Sequence, residues 1–366
     1  MRRVSSPERN SRSTEESLRE NGSRAVPWVD PDLVPILGRI PELRLSDESL
    51  GEMRRALLAS RPPASDDLPV TSCERVATAP GAATDVAVVV HSPVSAGGPR
   101  PAIIQIHGGG LVMGNADVVT DENRRLAAEL DCCVIAVDYR LAPEHPFPAA
   151  LEDCYTVLAW VNDNAGLLDI DPSRVVVKGE SAGGGLAASL CQLARDRGEY
   201  RIAFQHLTYP MLDDRTCTRT DLPAWAGSLV WTVASNTYGW GSYLGERPGA
   251  ETAEAYAVAA RCPDLSDLPP AYVVVGALDL FLEESAAYAL RLARDGVPVE
   301  FQVVAGACHS FLSFGAGTDL GARVGFNSTD ALRRACSNHG TGVVRDPAAL
   351  VPDHSPTANS TKERRS

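Results

Sequence analysis

From residue 73 to residue 304 the chain alternates short apolar runs with helix-period stretches, and this rhythm constrains the fold more than any other feature. The runs at 86–91, 102–106, 133–139, 175–177, 204–209, 272–275 and 299–304 are rich in β-branched or aromatic residues. Several are apolar at nearly every position. A strand with one wet face alternates, so continuous apolarity points to strands buried on both faces. Helical stretches at about 121–130, 149–164, 182–197 and 283–295 separate most of the runs. That order predicts an α/β fold: a mostly parallel central sheet reached through helical crossovers, with helices flanking both faces.

Residues 1–24 and 337–366 are polar, charged and poor in aromatics, and are expected to be disordered tails. Residues 25–70 hold short amphipathic pieces, such as Leu50, Met53, Leu57 and Leu58 at helical spacing, broken by prolines. Within the catalytic domain expected over 71–336, one long stretch at about 211–267 interrupts the rhythm. It carries Trp225, Trp231 and Trp240, with Tyr238, Tyr243 and Tyr256. Insertions of that length in compact domains are usually lids or binding elements. Residues 25–70 are therefore expected to form, with this insertion, a helical cap over the sheet; the plainer alternative is a helical hairpin that only completes the core.

Composition narrows the partners. A formal charge of −13 argues against nucleic acid or an anionic membrane, both of which demand clustered Lys and Arg. No apolar stretch near the N-terminus resembles a secretory signal, and no run approaches a membrane span. The nine cysteines are odd in number and form no C-x-x-C, so neither a disulfide framework nor a zinc site is expected. A cytoplasmic location fits these features, with homo-oligomerisation left open.

Three elements carry chemistry. Gly179-Glu180-Ser181-Ala182-Gly183 matches G-x-S-x-G and lies between an apolar strand and a helix opening at Ala182, where a sharp turn exposes the serine. Side chains at the two glycines would collide across such a turn. His107-Gly108-Gly109-Gly110 directly follows the 102–106 run, and consecutive glycines let backbone amides turn toward an oxyanion. The rival reading is a phosphate-cradling G-x-G-x-x-G loop, but Met113 stands where its third glycine would fall. Third, Asp279 and His309 each follow a strand, in the chain order Ser, Asp, His. Taken singly, an Asp after a strand is more often a helix cap and a lone His more often a packing residue. His107 is the main competing base.

These blocks, together with Tyr139-Arg-Leu-Ala-Pro-Glu-His-Pro-Phe-Pro-Ala-Ala, Leu268-Pro-Pro and His309-Ser-Phe, resemble the hormone-sensitive lipase-like family of α/β-hydrolases. The resemblance spans about 29–312. It implies Ser181 as nucleophile, His309 as general base and Asp279 as the residue that orients the histidine. It implies an oxyanion hole from the amides of Gly109, Gly110 and Ala182, with Gly108 shaping the turn. The 139–153 block would lock the sheet to its following helix. No cofactor or metal is implied, and the substrates would be small esters of short to medium acyl chains. A deacetylase, amidase or lactonase would share these residues, and a non-catalytic small-molecule receptor is the alternative of another class. Glu180 stands where many relatives have Asp, and Ser310 where many have Gly. Beyond Phe314 the likeness fades, and Gly315, Gly317, Gly321 and Gly325 are expected to weaken the closing helix.

Overall fold

The computed structural model describes residues 28–40, 43–59, 67–95 and 97–337, so the tails expected at 1–24 and beyond 337 lie outside the described residues. Eight strands form one sheet: β1 (Val70–Ala77), β2 (Val86–Pro93), β3 (Arg100–Ile106), β4 (Cys133–Val137), β5 (Ile170–Glu180), β6 (Phe204–Thr208), β7 (Ala271–Gly276) and β8 (Val299–Val304). Their spatial order is β1-β2-β4-β3-β5-β6-β7-β8. β2 pairs antiparallel with both β1 and β4, and every other pairing is parallel.

The main helices are α1 (Leu50–Ala59), α2 (Thr120–Leu130), α3 (Ala149–Asp163), α4 (Ala182–Arg197), α5 (Val233–Leu244), α6 (Leu282–Arg294) and α7 (Asp319–Cys336). Successive strand residues feed opposite cores. Ala102, Ile104 and Ile106 pack in the larger cluster with Leu158 of α3, Leu190 of α4 and Leu292 of α6. Ile103, Val134, Val176 and Val274 pack on the other face with Leu126 of α2 and Val324 and Leu332 of α7. Continuous apolarity in these runs thus has the cause inferred from it, burial on both sides.

Two elements lie outside the apolar rhythm of the central strands, β1 and α7. β1 begins at Val70, the last residue of the 25–70 segment. Only its two end residues are buried, as suits a strand at the sheet edge, and it carries little of the apolar signal of the central strands. The closing helix α7 forms over 18 residues despite its glycines. Thr318 caps its N-terminus by accepting from Gly321 N at 3.0 Å. Gly321 is there for packing, since a Cβ would lie 2.0 Å from the Gly315 carbonyl oxygen. Gly325 faces open space, with nothing within 4 Å of where a Cβ would be.

Among the described residues no helix is long and apolar enough to cross a membrane. All nine cysteines are free thiols, six of them buried.

Candidate active site

The G-x-S-x-G turn joins β5 to α4. Ser181 sits at φ 55° and ψ −120°, a conformation that non-glycine residues adopt only when the surroundings enforce it. The surroundings do so from both sides. Ser181 N donates to Thr208 O at 2.9 Å, and Met211 N donates to Ser181 O at 2.9 Å, which ties the turn to the end of β6. A Cβ on Gly179 would fall 2.1 Å from Gly183 O, and one on Gly183 would fall 2.2 Å from Ile106 O. Both flanking glycines are therefore steric requirements of the turn.

Ser181 Oγ lies 2.9 Å from His309 Nε2, and His309 Nδ1 lies 2.9 Å from Asp279 Oδ2. A carboxylate can only accept, so Nδ1 carries the proton and Nε2 is left to accept from the serine hydroxyl. Asp279 Oδ1 also accepts from Phe281 N at 2.9 Å, which fixes the carboxylate plane. Asp279 and His309 reach the serine because their loops touch: Leu278 N donates to Ala307 O at 2.9 Å, just beyond the ends of β7 and β8. Ser181, Asp279 and His309 are 6%, 1% and 3% exposed, so the trio is shut off from bulk water. The three residues singled out from sequence come together, although their side chains belong to positions 128 and 30 residues apart.

The glycine loop lies across the turn. Gly108 is packed against it, with Glu180 O 3.0 Å and Ser181 Cβ 3.3 Å from where its own Cβ would be. Gly109 and Gly110 have φ of 122° and 63°. A Cβ would strike Met113 O at 2.0 Å from Gly109 and the Trp231 ring at 2.2 Å from Gly110. Ala182 occupies the first position of α4, directly after Ser181. His107, the competing base, plays another part. Its ring stacks on Tyr139 at 4.2 Å, Nδ1 is 2.7 Å from Gly108 O, and burial pushes its pKa down to about 4. Tyr139 Oη donates to His107 O at 3.0 Å. Arg140 pairs with the buried Asp153 of α3 at 2.7 Å, so the 139–153 block does join the sheet to its following helix.

Of the other side chains at the site, Tyr209 and Phe281 were not singled out beforehand, and Trp231 was noted only as part of the aromatic-rich insertion. The His309 imidazole is boxed by Tyr209, Phe281 and Trp231, with ring centroids 5.0, 5.1 and 6.1 Å away. Tyr209 directly follows β6, so the strand-end position that flagged Asp279 and His309 also marks it. Glu283 and Glu284, the carboxylates nearest Asp279 in sequence, turn elsewhere. Glu283 pairs with Arg219, while buried Glu284 accepts from Leu212 N at 2.7 Å and from the Thr216 hydroxyl. Both thereby tether the start of the 211–267 insertion.

That insertion contains one long helix, α5, and otherwise irregular chain with short 3₁₀ turns at Asp214–Thr218 and Ala259–Arg261. Trp231 closes over Gly110, and Trp240 is buried beside Tyr243 with ring centroids 6.1 Å apart. Leu111 and Ala182 face Met211, Trp240 and Tyr243 across a cavity of about 10 Å³, room for about one water molecule. Two larger grooves, of about 490 and 420 Å³, lie along β1–β2 and beside the C-terminal end of α4, and neither includes Ser181, Asp279 or His309. From the N-terminal side, α1 reaches the glycine loop through Arg54, whose Nε donates to Val112 O at 2.7 Å. The segment at 28–40 instead straps the histidine loop: Asp30 N donates to Gly306 O at 3.0 Å, and Leu33 is fully buried against Gly315. Among the described residues no cluster of three or more His, Cys, Asp or Glu could hold a metal ion.

A family model described as alpha/beta hydrolase fold matches residues 103–313. The carboxylesterase NlhH of Mycobacterium tuberculosis is 32% identical over 320 residues, covering 85% of this chain and 97% of that protein. The esterase LipI of the same organism is 34% identical over 304 residues, covering 81% and 91%. Among solved structures, a bacterial heroin esterase superposes with a TM-score of 0.76 at 34% identity, covering 85% of this chain and 98% of its own.

Proposed function

The chain belongs to the hormone-sensitive lipase-like branch of the α/β-hydrolases, and from that premise we propose that it is a serine carboxylesterase acting on small esters of short to medium acyl chains. The observation that carries this reading is the unbroken line from Ser181 Oγ through His309 to Asp279, with both links at 2.9 Å. Relatives named as esterases over most of their length support the same bond as substrate.

In the proposed reaction His309 Nε2 takes the hydroxyl proton as Ser181 attacks the ester carbonyl. The amides of Gly109, Gly110 and Ala182 receive the negative charge that develops on the carbonyl oxygen. His309 then gives its proton to the departing alcohol, and water repeats the sequence on the acyl-serine. Asp279 holds the imidazole in the tautomer this needs and stabilises its charged form. The cap that bounds the acyl and alcohol sides is built from α1 and the 211–267 insertion. Free thiols throughout the chain suit a reducing, cytoplasmic setting.

Ser181→Ala tests the assignment. It should lower kcat by about 10⁴-fold or more with the fold intact, and labelling by a fluorophosphonate should vanish. Labelling that persists at another serine would overturn it. A panel of nitrophenyl esters, acetanilides and lactones separates an esterase from an amidase, deacetylase or lactonase, because only the leaving group changes. No turnover and no labelling of the intact protein would favour a receptor.

A further inference from the structure

The sheet face that meets α2 and α7 is not wholly apolar. Gln105 on β3, Lys178 on β5, His206 on β6 and Tyr272 on β7 stand side by side in register, all of them buried. His206 is held neutral, its pKa pushed down to about 3 by burial and by the charge of Lys178. Lys178 is the opposite case. Burial works against its charge, but the carboxylates of Glu122 and Glu180 outweigh it and hold the ammonium above its ordinary pKa. Its Nζ donates to Glu180 Oε1 at 2.8 Å and lies 3.1 Å from Glu122 Oε1 on α2.

Glu180 is the residue before Ser181. With one oxygen drawn to Lys178, its other oxygen accepts from the Tyr209 hydroxyl at 3.3 Å. The same hydroxyl is 3.3 Å from Ser313 Oγ, in the short helix after the histidine loop. The Tyr209 ring meets the His309 ring edge-on, with centroids 5.0 Å apart and planes at 64°. Tyr209 is itself fixed at a positive φ of 35°, and its N donates to Val274 O at 2.6 Å. A continuous line of contacts therefore runs from α2 beneath the serine turn to the imidazole.

Buried ion pairs contribute little net stability, because desolvation offsets their attraction, so stability alone gives this one no purpose. It does impose direction. A carboxylate anchored at one oxygen presents the other at a set place, and a general base must keep its ring aligned with both serine and aspartate through every proton transfer.

We propose that Lys178, Glu180 and Tyr209 are positioning residues for His309: Lys178 orients Glu180, Glu180 fixes the Tyr209 hydroxyl, and the Tyr209 ring holds the imidazole between Ser181 and Asp279. This rests on the serine-hydrolase reading above.

The test uses the full chain with Tyr209→Phe, Glu180→Gln, their combination, and Lys178→Met combined with Glu180→Gln and Glu122→Gln, which removes all three charges and strands none. Each should lower kcat for a nitrophenyl acetate, and the rate at which a fluorophosphonate acylates Ser181, by about tenfold with KM unchanged. Tyr209→Phe with Glu180→Gln should be no worse than either alone, since both cut the same link. Losses that multiply, a rise in KM at constant kcat, or a fall in Tm with full kcat would each overturn the proposal. If the unsubstituted protein labels at Ser181 and the variants label equally fast, positioning alone falls. If the unsubstituted protein does not label at all, the hydrolase reading falls with it.

Discussion

At the strand ends, several of the close approaches are settled within a few residues of chain, although Gly110 clears Trp231 and Gly183 clears Ile106 from farther away. Gly179 clears Gly183, Gly109 clears Met113, and Asp279 is steadied by Phe281 two residues on. In the insertion over them, the anchors come from far away. Glu284 holds Leu212 N, Arg261 pairs with buried Asp214, Ser235 Oγ donates to Leu43 O, and the Tyr238 hydroxyl donates to Asp47. The turns are thus shaped by what cannot fit, and the insertion by polar contacts that other sequences could replace. On the proposed function, chemistry is expected to belong to the sterically fixed part and selectivity to the replaceable part.

The comparison is most exposed at two buried carboxylates on the same stretch of chain. Asp279→Asn should lower kcat by about 10⁴-fold, because an amide at that place favours the wrong imidazole tautomer. Glu284→Gln keeps an oxygen able to accept from Leu212 N, so kcat should fall by less than about tenfold, with the loss seen mainly in KM. Steady-state kinetics of the two variants decide it, and the reverse ranking would move the orienting role to Glu284.

Acid separates the scaffold from the insertion in another way. His91, His107 and His206 are buried in or beside the strands, and burial pushes their pKa values down to about 4, 4 and 3. An unfolded chain protonates such groups below about 6.5, so the fold binds fewer protons and its stability rises with pH across this window. Their contribution is complete above pH 6.5 and is lost as pH falls toward 4. At pH 5 each should cost about 2 kcal/mol of unfolding free energy relative to pH 7.5. Urea denaturation at the two pH values checks this, and His206→Gln should flatten the dependence.

A smaller effect is expected in the insertion. Trp240 closes the cavity beside Leu111 and Ala182. Trp240→Ala should shift the preferred acyl chain toward longer members by about 1 kcal/mol per methylene accommodated, read as kcat/KM across a nitrophenyl ester series. An unchanged profile there, with a shift instead from Leu111→Ala, would assign selectivity to the glycine-loop side.

The smallest test lies in α7, where two glycines four residues apart differ only in their neighbours. Gly321→Ala drives a methyl into the Gly315 carbonyl and should cost about 1–3 kcal/mol. Gly325→Ala meets open space and should stabilise by about 0.5–1 kcal/mol through helix propensity. Thermal denaturation of both variants suffices.

The same division explains what could be read from the sequence. Helix α4 was expected at its observed bounds, and the central strands were located to within a few residues apart from β5, because their signals are local runs and glycine-flanked turns. β5 runs from Ile170 although only 175–177 stood out, since its first residues are polar and lie at the sheet margin. The glycines of α7 differ in a way the sequence does not show: Gly321 answers a close approach from Gly315, whereas Gly325 meets open space. The box of Tyr209, Phe281 and Trp231 around His309 was not legible as a unit, because its members come from three separate parts of the chain, although Tyr209 follows a strand and Trp231 stands in the aromatic-rich insertion. Lys178 lies just past the 175–177 run and was not singled out, and only strand register shows that its neighbours across the sheet are also polar.

The strap at residues 28–40 sets a limit on when the molecule can work. Asp30 is bonded to Gly306, and Leu33 is buried against Gly315, next to the loop that carries His309. On a ribosome, this segment emerges before the sheet and finds its partner after β8. The strands between them can pair as they appear, since β3 through β8 add outward in nearly sequential order from β3 and β5. The loop that carries His309, however, lacks one of its braces until the strap reaches it. A contact of such sequence separation closes late and slowly, so a nascent chain can hold a nearly complete sheet while that brace is still missing.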